Sequence, residues 1–220
     1  MMLSLYFIVE GQSEENFIEK ALIPYLLENN NKFNYKCLNL CGGINFYKLI
    51  KLIENNIKQY DCVTTFIDLV RLNNAKFDNY SQIMQQNISS SEKANILQQQ
   101  LSNKLEFNLR QKLIAHIQPY EFEALCFADA DNLAKTDPKI AKNLGKIKKE
   151  MSSYSNPELI NNHQLPAARL ANYAYIKESS TFAQYCDINI IRACCPHFNQ
   201  WLSQLEEVLL NKKKGITCVE

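Results

Sequence analysis

Apolar residues run almost unbroken from Leu3 to Val9, and the run ends in Glu10 and Gly11. A run without alternation predicts a strand buried on both faces, with Glu10 carried out at its carboxyl end. The period then changes, and Phe17, Ile18, Ala21, Leu22, Tyr25 and Leu26 share one face of a helix. Ser13 is a candidate N-cap, Glu14 and Glu15 fall in the first turn where the helix dipole favours acids, and Pro24 predicts a kink. After an Asn-rich turn, Tyr35–Leu40 predicts a second strand, and Gly42-Gly43 interrupts the chain ahead of Asn45, a candidate cap. Phe46, Leu49, Ile50, Ile53 and Ile57 follow with helical spacing. Cys62–Val70 is β-branched and apolar and predicts a third buried strand with Asp68 near its carboxyl end. The order βαβαβ argues for a parallel sheet with right-handed crossovers.

The second half is less regular. Leu72–Ser91 has no sustained period and reads as a loop or partly helical excursion. Ser91 is a candidate cap for a helix carrying Leu97, Leu101 and Leu105 on one stripe, and Leu113–Gln118 predicts a short strand closed by Pro119. In Tyr120–Leu125, Glu121 and Glu123 point the same way if the segment is extended, and lie about 200° apart if it is helical. From Asp129 onward the pattern is helical and peripheral. The Lys-rich stretch Pro138–Met151 reads as a solvated face, with a local basic patch as the other reading. A last helix starts at Pro196, aligns Phe198, Trp201, Leu202, Leu205 and Leu209, and finishes at lysines 212–214.

Composition changes this picture mainly by exclusion. The 220 residues hold 24 basic and 23 acidic side chains, so contact with nucleic acid requires a local patch or a metal. The eight cysteines contain no CxxC pair and no histidine at zinc-finger spacing, which favours buried reduced thiols. No basic leader or membrane-length apolar run is present at the start, so no membrane association and a cytoplasmic location are expected. Phosphate-loop, dinucleotide and nucleophile-elbow signatures are absent from the sequence.

What remains is a set of acids at strand ends: Glu10, Asp68, and Glu121 with Glu123. The carboxyl ends of parallel strands gather on one edge, so carboxylates distant in sequence can converge on a hard cation. Oxygen ligands point to Mg2+ or Mn2+, and such an ion can activate water and polarise a phosphodiester. Arg71 is a candidate phosphate contact and His116 a candidate general base, each with a structural reading beside it as a surface ion pair or a packed histidine. His197 and Arg192 are weighed the same way, and Trp201 reads as core rather than as a base-stacking platform.

Together, Val9–Glu14, Thr64–Asp68, His116–Phe127, Asn156–Asn161 and Ile191–Leu202 resemble the bacterial family called domain of unknown function 4276. That family is regarded as Toprim-like, and its members often accompany ATPases in operons linked to phage defence. The resemblance implies an acid-centred magnesium site using Glu10 and Asp68. The wider Toprim pattern places Asp-x-Asp after the third strand, whereas Asp68 here is followed by Leu69 and Val70, so Glu121 or Glu123 would stand in. A small-Pro-Ser-Lys-Arg stretch usual in the family is replaced by Leu165-Pro166-Ala167-Ala168-Arg169.

The expectation is therefore an α/β protein: a Toprim-like, mostly parallel sheet flanked by helices over residues 1–128, with a helical C-terminal elaboration over 129–220 packed on that core. The expected activity is metal-dependent phosphodiester cleavage of DNA or tRNA, with an ATPase from the same operon as partner. Glu10, Asp68, Glu123, Arg71 and His116 are the expected catalytic residues, and Glu10, Glu14, Asp68, Glu121 and Glu123 the expected metal ligands. The alternatives are a non-catalytic module docking on an ATPase and a phosphotransfer enzyme acting on a small nucleotide.

Overall fold

The computed structural model describes residues 2–30, 32–74, 76–160, 164–177 and 181–213. Strands β1 (Leu3–Val9), β2 (Phe33–Asn39) and β3 (Cys62–Asp68) are joined by two short strands, β4 (Leu113–Ile114) and β5 (Ile117–Gln118). The sheet runs β2-β1-β3-β4, with β5 also on β3, and every pairing is parallel. The expected strand Leu113–Gln118 is split because the Thr65 hydroxyl takes over the backbone of His116. It accepts from the His116 amide and donates to the His116 carbonyl, both at 2.9 Å.

Both faces of the sheet are covered, as the unbroken apolar runs require. On one face, Leu3, Leu5, Phe7 and Val9 pack against a helix that follows β1 directly. It begins as α1 (Gln12–Phe17), passes through a π-helical segment (Ile18–Leu22) and continues as α2 (Ile23–Asn30). The wider π turn lies just ahead of Pro24, whose ring cannot sit against a tight preceding turn and has no N–H to return. On the other face, Tyr6, Ile8, Val63 and Ile67 pack against α3 (Phe46–Ile57) and α5 (Ser90–Asn103). Asn45 caps α3 by accepting from the Lys48 amide. Helix α5 is capped by Ser89 rather than Ser91, through a reciprocal capping box with Glu92. The excursion between β3 and α5 contains a 3-10 segment (Leu69–Asn74) and α4 (Tyr80–Gln85).

Chain order and spatial order differ at one point. The link from β1 goes to β2 on one side, and the link from β2 returns across to β3 on the other side of β1. The carboxyl ends of β1 and β3 therefore flank the switch point, where open α/β sheets form their binding crevice.

The C-terminal half is helical: α6 (Phe107–Arg110), α7 (Glu123–Ala128), α8 (Ala130–Leu133), α9 (Pro138–Met151), α10 (Pro166–Ala171), α11 (Ile188–Cys194) and α12 (Pro196–Lys213). It is not peripheral. Phe198, Trp201, Leu202 and Leu205 of α12 belong to the same apolar cluster as Leu5 and Phe7 of β1. The Trp201 indole donates to Thr64 Oγ1 of β3 at 2.8 Å. Buried Glu158 accepts from the His197 and Phe198 amides at 2.8 and 3.0 Å, closing the exposed donors at the start of α12. Burial pushes the Glu158 carboxyl up to about 7, against the pull of those amides. The Lys-rich helix α9 buries Ile140 and Ile147 and leaves its lysines exposed, a solvated face as expected. The described cysteines are all free thiols, while Cys218 lies outside the described residues. Among the described residues no helix is long and apolar enough to cross a membrane.

Candidate functional site

The switch point gathers four carboxylates. Glu10 leaves the end of β1, where its Oε2 accepts from the Asp68 amide at 3.1 Å. Its Oε1 lies 3.3 Å from Arg71 Nε. Asp68, the last residue of β3, is fully buried, and its Oδ1 accepts from the Phe122 amide at 2.9 Å. That bond ties the segment leading into α7 to the end of β3. Tyr120, with φ of +63°, turns the chain into that segment. Glu14 is buried on the first turn of α1. A Cβ added at Gly11 would meet the Glu14 carboxylate at 3.2 Å, so the glycine after β1 lets that acid fold back over the strand end. Glu123, also fully buried, opens α7.

A fifth residue completes the cluster. Lys177 reaches in from the segment after α10, with its Nζ 3.2 Å from Glu123 Oε1 and 4.0 Å from Glu14 Oε1. Its hydrogen bond goes to Glu123 Oε2 at 3.4 Å. Nothing in the local sequence marks this lysine, which sits in a stretch read as peripheral.

Protonation follows from crowding. Burial raises Glu10 to about 7, with Glu14 adding to the rise and the Asp68 amide, Arg71 and Lys177 opposing it. Asp68 is pushed well above the usual range by its own burial and then by Glu14, Glu10 and Glu123. Glu123 is raised by burial, with Lys177 opposing. Burial works against the charge of Lys177, yet Glu123, Asp68 and Glu14 together more than offset it and hold its pKa above that of an ordinary lysine. Four carboxylates thus face two cations in a low-dielectric pocket, an arrangement that favours either proton uptake or a further cation.

The other expected site residues go elsewhere. Glu121 Oε2 accepts from the Ala167 amide in the first turn of α10 at 3.0 Å, which makes it an anchor for that helix. The structure thereby separates Glu121 from Glu123: they diverge because the segment enters a helix between them. His116 is buried with its ring stacked on Phe66 and Trp201 and its Nε2 3.2 Å from Gln118 Oε1. Burial, with His197 nearby, holds its pKa well below the usual histidine value, so it stays neutral. Its ring contacts are with core residues and with none of the four carboxylates, which is a packing role rather than that of a base at the acid edge.

His197 Nε2 lies 3.0 Å from Gln98 Oε1 and 3.1 Å from the Ile117 carbonyl, and burial depresses its pKa to about 4. Arg192 pairs with Glu206 and donates to Tyr25 and Asn199. Arg169, in the stretch that departs from the family pattern, pairs with Glu150.

The donor set suits a hard cation. Glu14 Oε1, Asp68 Oδ2 and Glu123 Oε1 are buried oxygens that make no hydrogen bond among the described residues. Buried lone pairs of this kind are costly to leave unmatched, and an oxygen-only set matches magnesium or manganese. Among the described residues, however, no three acidic, imidazole or thiol groups stand close enough to encircle an ion as they are. Lys177 holds the centre instead.

The family model described as a domain of unknown function (DUF4276) matches residues 9–206. No curated protein matches the chain. No solved structure matches it either.

Proposed function

This chain belongs to the DUF4276 family, and we propose that it is a Toprim-like, divalent-metal-dependent nuclease whose site is the carboxylate cluster at the ends of β1 and β3. The observation that carries this reading is the trio of buried oxygens on Glu14, Asp68 and Glu123 at the sheet's switch point, which make no hydrogen bond among the described residues and of which Glu14 and Glu123 face the Lys177 ammonium. Together with Glu10 they would hold magnesium or manganese. When bound, such an ion supplies Lewis-acid polarisation of a phosphate oxygen and a water activated for attack on phosphorus.

The chain's own residues do the rest. Arg71, exposed at the rim with its Nε toward Glu10, holds a phosphate oxygen against the cluster. Lys177 keeps its proton and opposes the negative charge that builds on phosphate as water attacks. Glu123 fixes the Lys177 ammonium, and Asp68 Oδ1 fixes the segment that carries Glu123. An ATPase partner in a defence or stress system belongs to the same proposal.

A second reading has its own support. Lys177 already partly neutralises the cluster, and no group among the described residues encircles an ion, which suits a module that keeps the fold and docks on a partner without cutting.

The test is cleavage of plasmid DNA, single-stranded DNA and total tRNA with magnesium or manganese, comparing wild type with Glu10→Gln and Asp68→Asn, with and without the operon partner. Metal-dependent cutting lost in both variants is the expected result. No cutting together with no metal binding by calorimetry overturns the nuclease reading in favour of the docking module.

A further inference from the structure

Beside the carboxylate cluster lies a cavity of about 290 Å³ whose lining combines cationic, neutral polar and aromatic residues. Arg71 and Lys177 form the side next to the cluster, Ser13 and Asn16 of α1 supply neutral hydrogen-bonding groups, and Phe122 and Phe182 form an apolar wall. The two rings meet edge to face with centroids 6.4 Å apart, and each is almost fully buried. They therefore present a narrow apolar surface rather than a broad one. Two cations, neutral hydrogen-bonding groups and the edges of aromatic rings in one lining match the phosphate, the sugar and the base of a nucleotide.

We propose that this cavity takes one unpaired nucleotide attached to the phosphate to be cut, which makes single-stranded nucleic acid the substrate class of the site. The assignment rests on the nuclease reading for the position of the phosphate. The volume sits at the lower end of small-ligand cavities, about 300 Å³, so it admits one nucleotide and no stacked neighbour. A base held in a duplex presents only its edges and cannot reach the wall formed by Phe122 and Phe182 without leaving its stack. Selection for unpaired strands thus comes from the shape of the cavity. It does not require the overall positive charge that this chain lacks.

The test measures binding separately from cleavage. Fluorescence anisotropy of labelled single-stranded DNA, single-stranded RNA and duplex DNA is recorded in Ca2+ and in EDTA, for wild type, Asn16→Ala and Asn16→Trp, with folding checked by circular dichroism. Asn16→Trp fills the cavity from α1. The expected result is single strands bound at least about tenfold more tightly than duplex, an advantage reduced in Asn16→Ala and lost in Asn16→Trp, in line with the loss of one base contact.

Equal affinity for duplex, or unchanged single-strand binding in a folded Asn16→Trp, overturns the proposal. The relative affinities of the DNA and RNA strands identify the natural source. Single-strand selectivity that Asn16→Trp abolishes, in a protein that cuts nothing, upholds the cavity assignment while removing the nuclease reading. Metal-dependent cutting that Asn16→Trp leaves untouched removes the cavity assignment alone.

Discussion

Replacing Glu10 with glutamine tests the electrostatics of the cluster before any substrate is known. Glu10 is 7 % exposed, and its pKa stands at about 7 against an ordinary 4.5, chiefly because its charged form is desolvated. Folded Glu10 keeps its proton over a range in which the unfolded chain has lost it. Stability is therefore full below about pH 4.5 and falls as pH rises through about 7. Each pH unit in that window is worth about 1.4 kcal/mol, so the ionised carboxylate costs the folded state up to about 3 kcal/mol at pH 8.

Glutamine cannot ionise, and its carbonyl can still accept from the Asp68 amide, so Glu10→Gln removes the cost and keeps that bond. Urea denaturation in EDTA is expected to show the variant about 1–3 kcal/mol more stable than wild type at pH 8, the lower figure allowing for relaxation of the folded site around the charge. The difference is expected to vanish below about pH 4.5, where the carboxyl is protonated in both states. Excess magnesium at pH 8 is expected to stabilise wild type and not the variant. A variant less stable than wild type at pH 8 in EDTA would refute the reasoning, because the ionised carboxylate would then be held by its partners rather than strained by burial.

Three further outcomes follow from the same geometry. Lys177→Met removes the cation paired with Glu123 and is expected to cost about 1–3 kcal/mol, a buried-pair value discounted for the partly exposed lysine, with a larger loss at pH 8 than at pH 6 in urea titrations. Glu123→Gln is expected to abolish calorimetric binding of magnesium and manganese, whereas Glu121→Gln, which perturbs the anchor on α10 and removes a charge that acts on Glu123 from outside the cluster, is expected to leave metal affinity within about threefold and to lower thermal stability slightly. Glu158→Ala uncovers the His197 and Phe198 amides at the start of α12 and is expected to cost about 2–4 kcal/mol, read as a melting-temperature fall of several degrees without loss of metal binding.

These residues also show how far local pattern reaches. Glu10 and Asp68 were legible because an apolar run that stops at a carboxylate fixes both a buried strand and the edge it points to, and parallel order brings such edges together. The sheet and α3 were legible for the same reason, since period and β-branching are local properties. The choice between Glu121 and Glu123 was not, because it turns on whether the segment after Pro119 is extended or helical. The tie from Asp68 to the Phe122 amide settles that, and it spans more than fifty residues. The cap at Ser89 was present as a Ser-x-x-Glu signature and was passed over for Ser91. The packed reading of His116 rests on tertiary structure alone, because it is α12 that covers the ring with Trp201.

Lys177 is the residue the sequence hides most completely, and it changes how the acids are understood. A single lysine after Tyr175 and Ile176 belongs to no period and no motif. Its position depends on the turn of the C-terminal half back over the strand ends, a half that looks peripheral by pattern yet shares its apolar core with β1. Without that return the four carboxylates would lack the Lys177 ammonium, and Asp68, fully buried with one oxygen that makes no hydrogen bond among the described residues, would be harder to keep in place. The motifs around Glu158 and His197 therefore serve the site indirectly. By closing the start of α12 and fixing Trp201 on Thr64, they hold the half of the protein from which Lys177 enters. Either function proposed for the cluster has to account for this lysine. In a nuclease it must yield the centre to the ion and turn toward phosphate; in a docking module it stays, and the charge it leaves uncompensated is met by protons on Glu10 and Asp68.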